Sequence, residues 1–308
     1  MSLLDRLAEN SVKSKLAALK GGLLTLIDGK HTSVHGEEGS IKVTVTILNP
    51  RFYRAIAFGG HVGAAESYAE GAWTTEDLTS LVRLFVCNRE VLDGMETGMA
   101  RLVQPLRQLL HSKNRNTESG SRRNIRAHYD LGNNFFREFL DETMTYSAGI
   151  FDKPESTLKE ASIAKYDRLC RKLSLSPEDH VIEIGSGWGG FALHAAQNYG
   201  CKVTTTTISE EQYALGKLKI QDAGLGDRIT ILLQDYRKLT GTFDKLVSIE
   251  MIEAVGHHYF ESFFNQCSHL LAPHGLAAIQ AITIQDRFYE AARKEVDFIK
   301  RYIFPGSC

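Results

Sequence analysis

The sequence is short of paired cysteines, of charge imbalance and of long apolar runs, and each shortage excludes a class of protein. Five cysteines (Cys87, Cys170, Cys201, Cys267 and Cys308) are scattered through 308 residues with no CxxC pair. That spacing speaks against a structural zinc site and against a disulfide-stapled secreted fold, and it reads as thiols in a reducing compartment. The 36 basic and 37 acidic side chains leave a net charge of −1, without the basic excess of a dedicated nucleic-acid binder. No apolar stretch approaches the roughly 18–20 residues of a membrane-spanning helix. The opening MSLLDRLAENSVKSKLAALKGG carries acids early and no unbroken apolar core; it reads as a short amphipathic helix, not a secretory signal. With 43% hydrophobic and 24% charged residues, disordered and fibrous classes are set aside. The expectation is a soluble cytoplasmic protein able to touch a membrane surface.

Composition shifts most sharply at His111–Asn124, HSKNRNTESGSRRN, which holds no large apolar residue and reads as an exposed linker. It separates residues 1–110 from 125–308. The first part is expected to be a small α+β accessory domain, with half-buried strands at Gly22–Asp28 and Ile41–Leu48 and glycine-punctuated helical periods after them. The second part alternates strand and helix. Strands are expected at His180–Ile184, Lys202–Thr207, Ile229–Leu233, Lys245–Ile249 and Gly275–Ile284. Helices are expected at Gly189–Asn198, Glu210–Ala223 and His258–Leu271. Repeated βαβ units imply an α/β fold with a doubly wound, mainly parallel sheet.

The strongest motif is HVIEIGSGWGGFALHAA, an apolar strand running through a glycine loop into a helix. Glycines let the backbone turn tightly and approach a ligand, and the helix start offers unpaired N–H groups. The spacing GSGWGG differs from the dinucleotide fingerprint GxGxxG. The pattern E-x-G-x-G-x-G, beginning at Glu183, is instead that of the nucleoside-binding loop of S-adenosylmethionine (SAM) methyltransferases. Thr207, Ser209 and Gln212 follow at the tip of the second strand, where a Rossmann-like sheet meets a ribose. Asp235 and Tyr236 follow the third, in position for an adenine.

Together with NIRAHYDLGNNFFREFLDETMTYSAGIF, VSIEMIEAVG and DFIKRYIFPGS, this loop makes residues 122–306 resemble the cyclopropane-fatty-acyl-phospholipid synthase family, which includes the mycolic acid cyclopropane synthases. GGHVGAAESYAEGAW also looks like the N-terminal domain of the longer members that act on phospholipid. The resemblance implies a class I SAM methyltransferase fold, Rossmann-like, preceded by the accessory domain. It places the methionine end of SAM on Tyr146 and Ser147, the glycine loop on Gly185 and Gly187, ribose contacts on Thr207 and Gln212, and adenine contacts on Asp235 and Tyr236. It makes Glu253 the catalytic glutamate and implies a bicarbonate beside it as the base.

Three features depart from that pattern. Ala148 stands where the family commonly has Cys, and Gln280 stands where it has His. The chain stops at Cys308, before the family's later Tyr, so the methyltransferase domain is expected to be C-terminally incomplete, with Gly275–Ile284 an exposed apolar edge. Gln280 keeps an amide that can hydrogen-bond an anion and so remains a catalytic candidate. Other residues carry two readings. His128 faces substrate or is structural; Arg122, Arg123 and Arg126 contact lipid phosphate or form a solvated charge run. Phe135, Phe136 and Phe139 line an acyl channel or a core, and Trp188 flanks SAM or caps the sheet. His257 and His258 are adjacent, which suits a cap or an exposed turn better than a metal.

The implied reaction adds a methylene from SAM across the cis double bond of an unsaturated phospholipid acyl chain at the membrane surface, forming a cyclopropane. The expected partners are those acyl chains and no nucleic acid, with a homodimer allowed and a peripheral membrane location. The rivals are a relative producing a methylene- or methyl-branched chain, and a non-catalytic SAM- or lipid-binding fragment.

Overall fold

The computed structural model describes residues 3–96, 117, 120, 121 and 132–307. Most of the expected linker, along with His128, Arg122, Arg123, Arg126 and Cys308, lies outside the described residues. The chain divides into two compact units. One contains residues 1–111 and 294–302, the other residues 112–293 and 303–308.

The first unit begins with helix α1 (Leu3–Leu16), whose Ala8, Val12 and Leu16 fall four residues apart and are all buried. Strands β1 (Gly22–Asp28), β2 (His31–Glu37), β3 (Ile41–Ile47) and β4 (Trp73–Thr75) form a sheet in the order β2-β1-β3-β4. β1 runs parallel to β3 and antiparallel to β2. Helices α2 (Arg51–Ala69), α3 (Leu78–Cys87) and α4 (Arg89–Glu96) complete the unit. Leu24, Leu26, Val43, Val45, Phe52 and Trp73 make its core. β2 was not expected: HTSVHGE offers no apolar face, and it becomes a strand by continuous pairing with β1 through the turn at Gly29, where φ is 59°. The C-terminal segment joins this unit by burying Val296 and Lys300 and by an ion pair from Arg301 Nη2 to Glu66 Oε1 at 2.8 Å.

The second unit is a five-stranded, wholly parallel sheet in the order β7-β6-β5-β8-β9. After the short α5 (Gly132–Arg137) and α6 (Leu158–Lys172) come β5 (His180–Ile184), α7 (Gly190–Tyr199), β6 (Lys202–Thr207), α8 (Glu210–Asp222) and β7 (Ile229–Leu233). β8 (Phe243–Ile249), α9 (Phe260–Leu270), β9 (Leu271–Gln280) and α10 (Asp286–Lys294) follow. α6 starts with a capping box between Thr157 and Glu160, which satisfies its first N–H groups.

This is the doubly wound Rossmann-like sheet expected from the βαβ pattern. β5 is central because Val181, Ile182 and Ile184 are all buried, as a strand covered on both faces requires. The strand order reverses between β5 and β8, so the switch point lies above their C-terminal ends, where such sheets bind ligands. β9 is shifted relative to expectation. It starts at Leu271 and ends at Gln280 because Gln280 O accepts Glu250 N at 2.9 Å, and Ile282 N turns away to Glu253 Oε1 at 2.5 Å. Leu276 and Ile279 on this strand are exposed.

Candidate functional site

A cavity opens at the switch point, and the loops after β5, β6, β7 and β8 line it. The first loop is built by glycine. Gly185 has φ +98° and Gly187 φ +48°, conformations that L side chains rarely adopt. The N–H groups of Gly185 and Ser186 both donate to Thr206 O on β6, at 3.2 and 2.8 Å, which holds the loop against the sheet before α7 begins.

Behind this loop sits Glu183, fully buried, with Thr205 Oγ1 donating to its Oε2 at 2.6 Å. Burial pushes its carboxyl up to about 8, against that hydrogen bond and the pull of Lys165. Lys165 of α6 is also buried and donates to Ser147 Oγ. Burial pushes its ammonium down to about 8, against attraction from Glu250, Asp141 and Glu183.

These two groups set a pH dependence of stability. Between its ordinary value of 4.5 and about 8, Glu183 holds more proton folded than unfolded, so its contribution to stability declines as pH rises through that window. Between about 8 and 10.5, Lys165 holds more proton unfolded, so its contribution grows as pH rises. Urea midpoints measured across this range are expected to pass through a minimum near pH 8. Glu183→Gln keeps an acceptor for Thr205 and should flatten the slope on the acid side. An unchanged slope in that variant would remove Glu183 as its source.

At the tip of β6, Thr207 Oγ1 donates to Gln212 Oε1 at 2.7 Å, and Ser209 caps α8 by accepting from Gln212 N at 3.3 Å. Gln212 is thereby buried with its carbonyl oxygen committed. After β7, the Asp235 carboxylate grips Arg237: Oδ1 accepts from Nε at 2.9 Å and Oδ2 from Nη2 at 2.6 Å. Burial alone would raise this carboxyl, but hydrogen bonds and charge from Arg237 hold it below its usual range. Tyr236 packs edge-on against Phe263.

The opposite wall is aromatic. Tyr146 contacts Phe136 and Phe139 and stacks with Phe304, at centroid distances of 5.5, 6.1 and 6.1 Å. Trp188 and Phe136 are buried against one another, and Trp188 Nε1 donates to Asn133 Oδ1 at 2.6 Å, tying α5 to the glycine loop. Of the three phenylalanines with two readings, Phe136 is core, whereas Phe135 and Phe139 are about half exposed.

The structure therefore brings Tyr146, Ser147, Gly185, Gly187, Thr207, Gln212, Asp235 and Tyr236 onto one cavity. A nucleoside with a charged tail fits this lining. A Cβ on Gly185 would come within 3.0 Å of Met251 Cγ, so the close approach depends on glycine. Glu253 and Gln280 do not line the cavity but adjoin it. Glu253 lies on a 3-10 turn, Ile252–Ala254, directly after Met251. Gln280 Nε2 donates to Glu250 Oε1 at 2.7 Å and to Ala148 O at 3.4 Å.

The sequence reading missed two site residues, Lys165 and Glu250. Glu250 does line the cavity, and its Oε1 also accepts Ala148 N at 3.0 Å. With Ala148 and Gln280 at the positions of the family's Cys and His, the donors left for bicarbonate are the Ala148 backbone N–H and the Gln280 amide, and both are already taken by Glu250. The residues present do not fit that anion.

Comparison with known proteins identifies the family. The chain is 37% identical over 260 residues to the tuberculostearic acid methyltransferase UfaA1 of Mycobacterium tuberculosis, an alignment covering 82% of this chain and 60% of the relative. It is 32% identical over 277 residues to the cyclopropane-fatty-acyl-phospholipid synthase of Escherichia coli K12, covering 88% and 68%. The chain thus spans 60% and 68% of the length of these two curated relatives. The solved cyclopropane synthase MmaA2 of Mycobacterium tuberculosis superposes with a TM-score of 0.56 at 32% identity, covering 60% of this chain and 68% of that one. A mycolic acid cyclopropane synthase crystallised with SAH and CTAB gives 0.57, also at 32% identity and with the same coverages. Residues 116–308 match the family model described as mycolic acid cyclopropane synthetase, and the chain belongs to that family.

Proposed function

We propose that this chain is a SAM-dependent lipid methyltransferase that adds a methylene across the cis double bond of an unsaturated phospholipid acyl chain. The observation that carries the reading is the convergence of eight residues from four separate loops on one cavity at the switch point of the sheet. SAM, when bound, supplies an electrophilic methyl group. The alkene is a weak π nucleophile with no proton to lose before attack, so alignment and charge stabilisation carry the catalysis. Gly185 and Gly187 admit a ligand close to the backbone. Ser147, backed by buried Lys165, and the Thr207–Gln212 pair orient its polar ends. The rings of Tyr146 and Phe304 present faces that favour a developing cation. Glu253 contributes negative charge beside the cavity.

Residues 1–110 serve as a lipid-docking domain, joined by the segment at 111–124. Exposed Leu3, Leu4 and Leu7 on α1 suit a membrane surface, and no described helix is long and apolar enough to cross a bilayer. The enzyme works peripherally, from the cytoplasmic side. A branched product is the second reading, favoured by similarity to a tuberculostearic acid methyltransferase.

The test expresses the chain in a host without a cyclopropane synthase and profiles fatty acids by gas chromatography–mass spectrometry. An acyl species one CH₂ heavier and inert to alkene reagents is expected. One that still reacts as an alkene selects the branched reading. No change in the profile, with tight SAM binding, selects a binding protein.

A further inference from the structure

We infer that Glu250 is a built-in proton acceptor that occupies the anion position and makes this chain independent of bicarbonate. The inference rests on the lipid methyltransferase reading of the same cavity. Glu250 follows β8 directly and lines the cavity beside Ser147, Gly185 and Met251. Its φ is +48°, one of three positive values at non-glycine residues among those described. A glutamate holds that conformation only where its surroundings fix it, and such strain clusters at functional sites.

Three hydrogen bonds fix it here. Glu250 N donates to Gln280 O at 2.9 Å. Oε1 accepts from Ala148 N, 102 residues earlier, at 3.0 Å and from Gln280 Nε2, 30 residues later, at 2.7 Å. Lys165 adds attraction from behind Ser147.

A carboxylate and bicarbonate share the chemistry that matters: each is planar, carries one negative charge on paired oxygens and accepts a proton. The two cannot share these donors, because like charges at hydrogen-bond separation oppose one another. Both donors meet Oε1, which leaves Oε2 to take the proton. In the step assigned to it, the new methyl carbon is already bonded to one former alkene carbon, its donor has left as a neutral thioether, and the other alkene carbon is cationic. A C–H bond of that methyl breaks, its electron pair closes the second ring bond to the cation, and the proton passes to Oε2. The neutral acid then returns the proton to water. Tethering removes any dependence on anion concentration.

The test compares the full chain with Glu250→Gly, in which glycine suits the positive φ and both donors are released. Each is assayed in CO₂-free buffer, with and without ¹³C-labelled bicarbonate. One readout is ¹³C NMR of anion binding. The other is conversion of SAM and vesicles of a cis-unsaturated phospholipid. The unmodified chain is expected to turn over equally in both buffers and to show no saturable anion binding. Glu250→Gly should lose about 100-fold in turnover without the anion, the scale of a lost general base, should bind the labelled anion, and should regain at least about tenfold when it is added. Glu250→Gln retains an acceptor for both donors and should lose turnover without gaining anion binding, which covers the case of a misfolded glycine variant. A tenfold drop in the unmodified chain on removing bicarbonate, saturable anion binding to it, or full activity of Glu250→Gly without the anion would each overturn the inference. Absence of turnover in the unmodified chain would overturn the functional reading instead; the NMR comparison then still decides who occupies the donors.

Discussion

Replacing Gly185 with valine is expected to lower SAM affinity by at least about 100-fold, near 2.7 kcal/mol, and to lower the melting temperature as well. The two losses have separate causes. Gly185 sits at φ +98°, a region that a β-branched residue enters only with strain of about 1–3 kcal/mol. The new Cβ would also lie 3.0 Å from Met251 Cγ and 3.2 Å from Met251 Cβ, pressing on the segment that carries Glu250 and Glu253. Gly187 provides the contrast. Its φ is +48°, but a Cβ there meets no atom within 4 Å. Gly187→Asn places a residue that tolerates the left-handed region with its side chain in open space, so a loss of SAM affinity there reports on the ligand and not on the fold. Isothermal titration with SAH and a thermal melt on each variant separate the cases. A valine variant with unchanged affinity would place the ligand away from this loop.

How much of this was legible depended on whether a residue's role is local. The strands HVIEI and KVTTTT announce themselves as short apolar or β-branched runs flanked by glycine, and β5, β6 and β7 fall at the expected residues. The convergence of Gly185, Thr207 and Asp235 on one cavity was legible because each loop follows its own strand in a parallel sheet. β2 was not legible, since pairing with β1 and not its own pattern makes it a strand. Lys165 was hidden because nothing in LKEASIAKYDRLCRK sets it apart from the other basic residues there; its burial and its bond to Ser147 appear only in the folded chain. Glu250 was hidden for a stronger reason. Its meaning lies in a positive φ and in donors from segments 102 residues before and 30 residues after it. The departures at Ala148 and Gln280 were visible one by one, while the carboxylate that joins them was visible only in three dimensions.

Glu253→Gln is expected to reduce lipid modification by about 100- to 1,000-fold while leaving SAM affinity within about twofold of the unmodified chain. Glu253 combines an observed hydrogen bond with a proposed role for its charge, and this substitution separates the two. Its Oε1 accepts the N–H of Ile282 at 2.5 Å, clasping the chain just beyond β9 to the turn after β8. Its negative charge stands next to Met251 and Ala254, which line the cavity. Glutamine keeps an acceptor oxygen of the same reach, so the clasp survives and only the charge is lost. Glu253→Ala removes both, and the loss of a charge-assisted hydrogen bond of about 1.5–3 kcal/mol should loosen the strand end that also carries Gln280, and through it Glu250. If charge is what the reaction needs, glutamine and alanine variants lose turnover alike and differ in melting temperature. If the clasp is what matters, glutamine retains turnover and alanine loses it, and the catalytic carboxylate of this site is then Glu250 alone. Loss of SAM binding in the glutamine variant would move Glu253 into the cofactor shell, although it does not line the cavity.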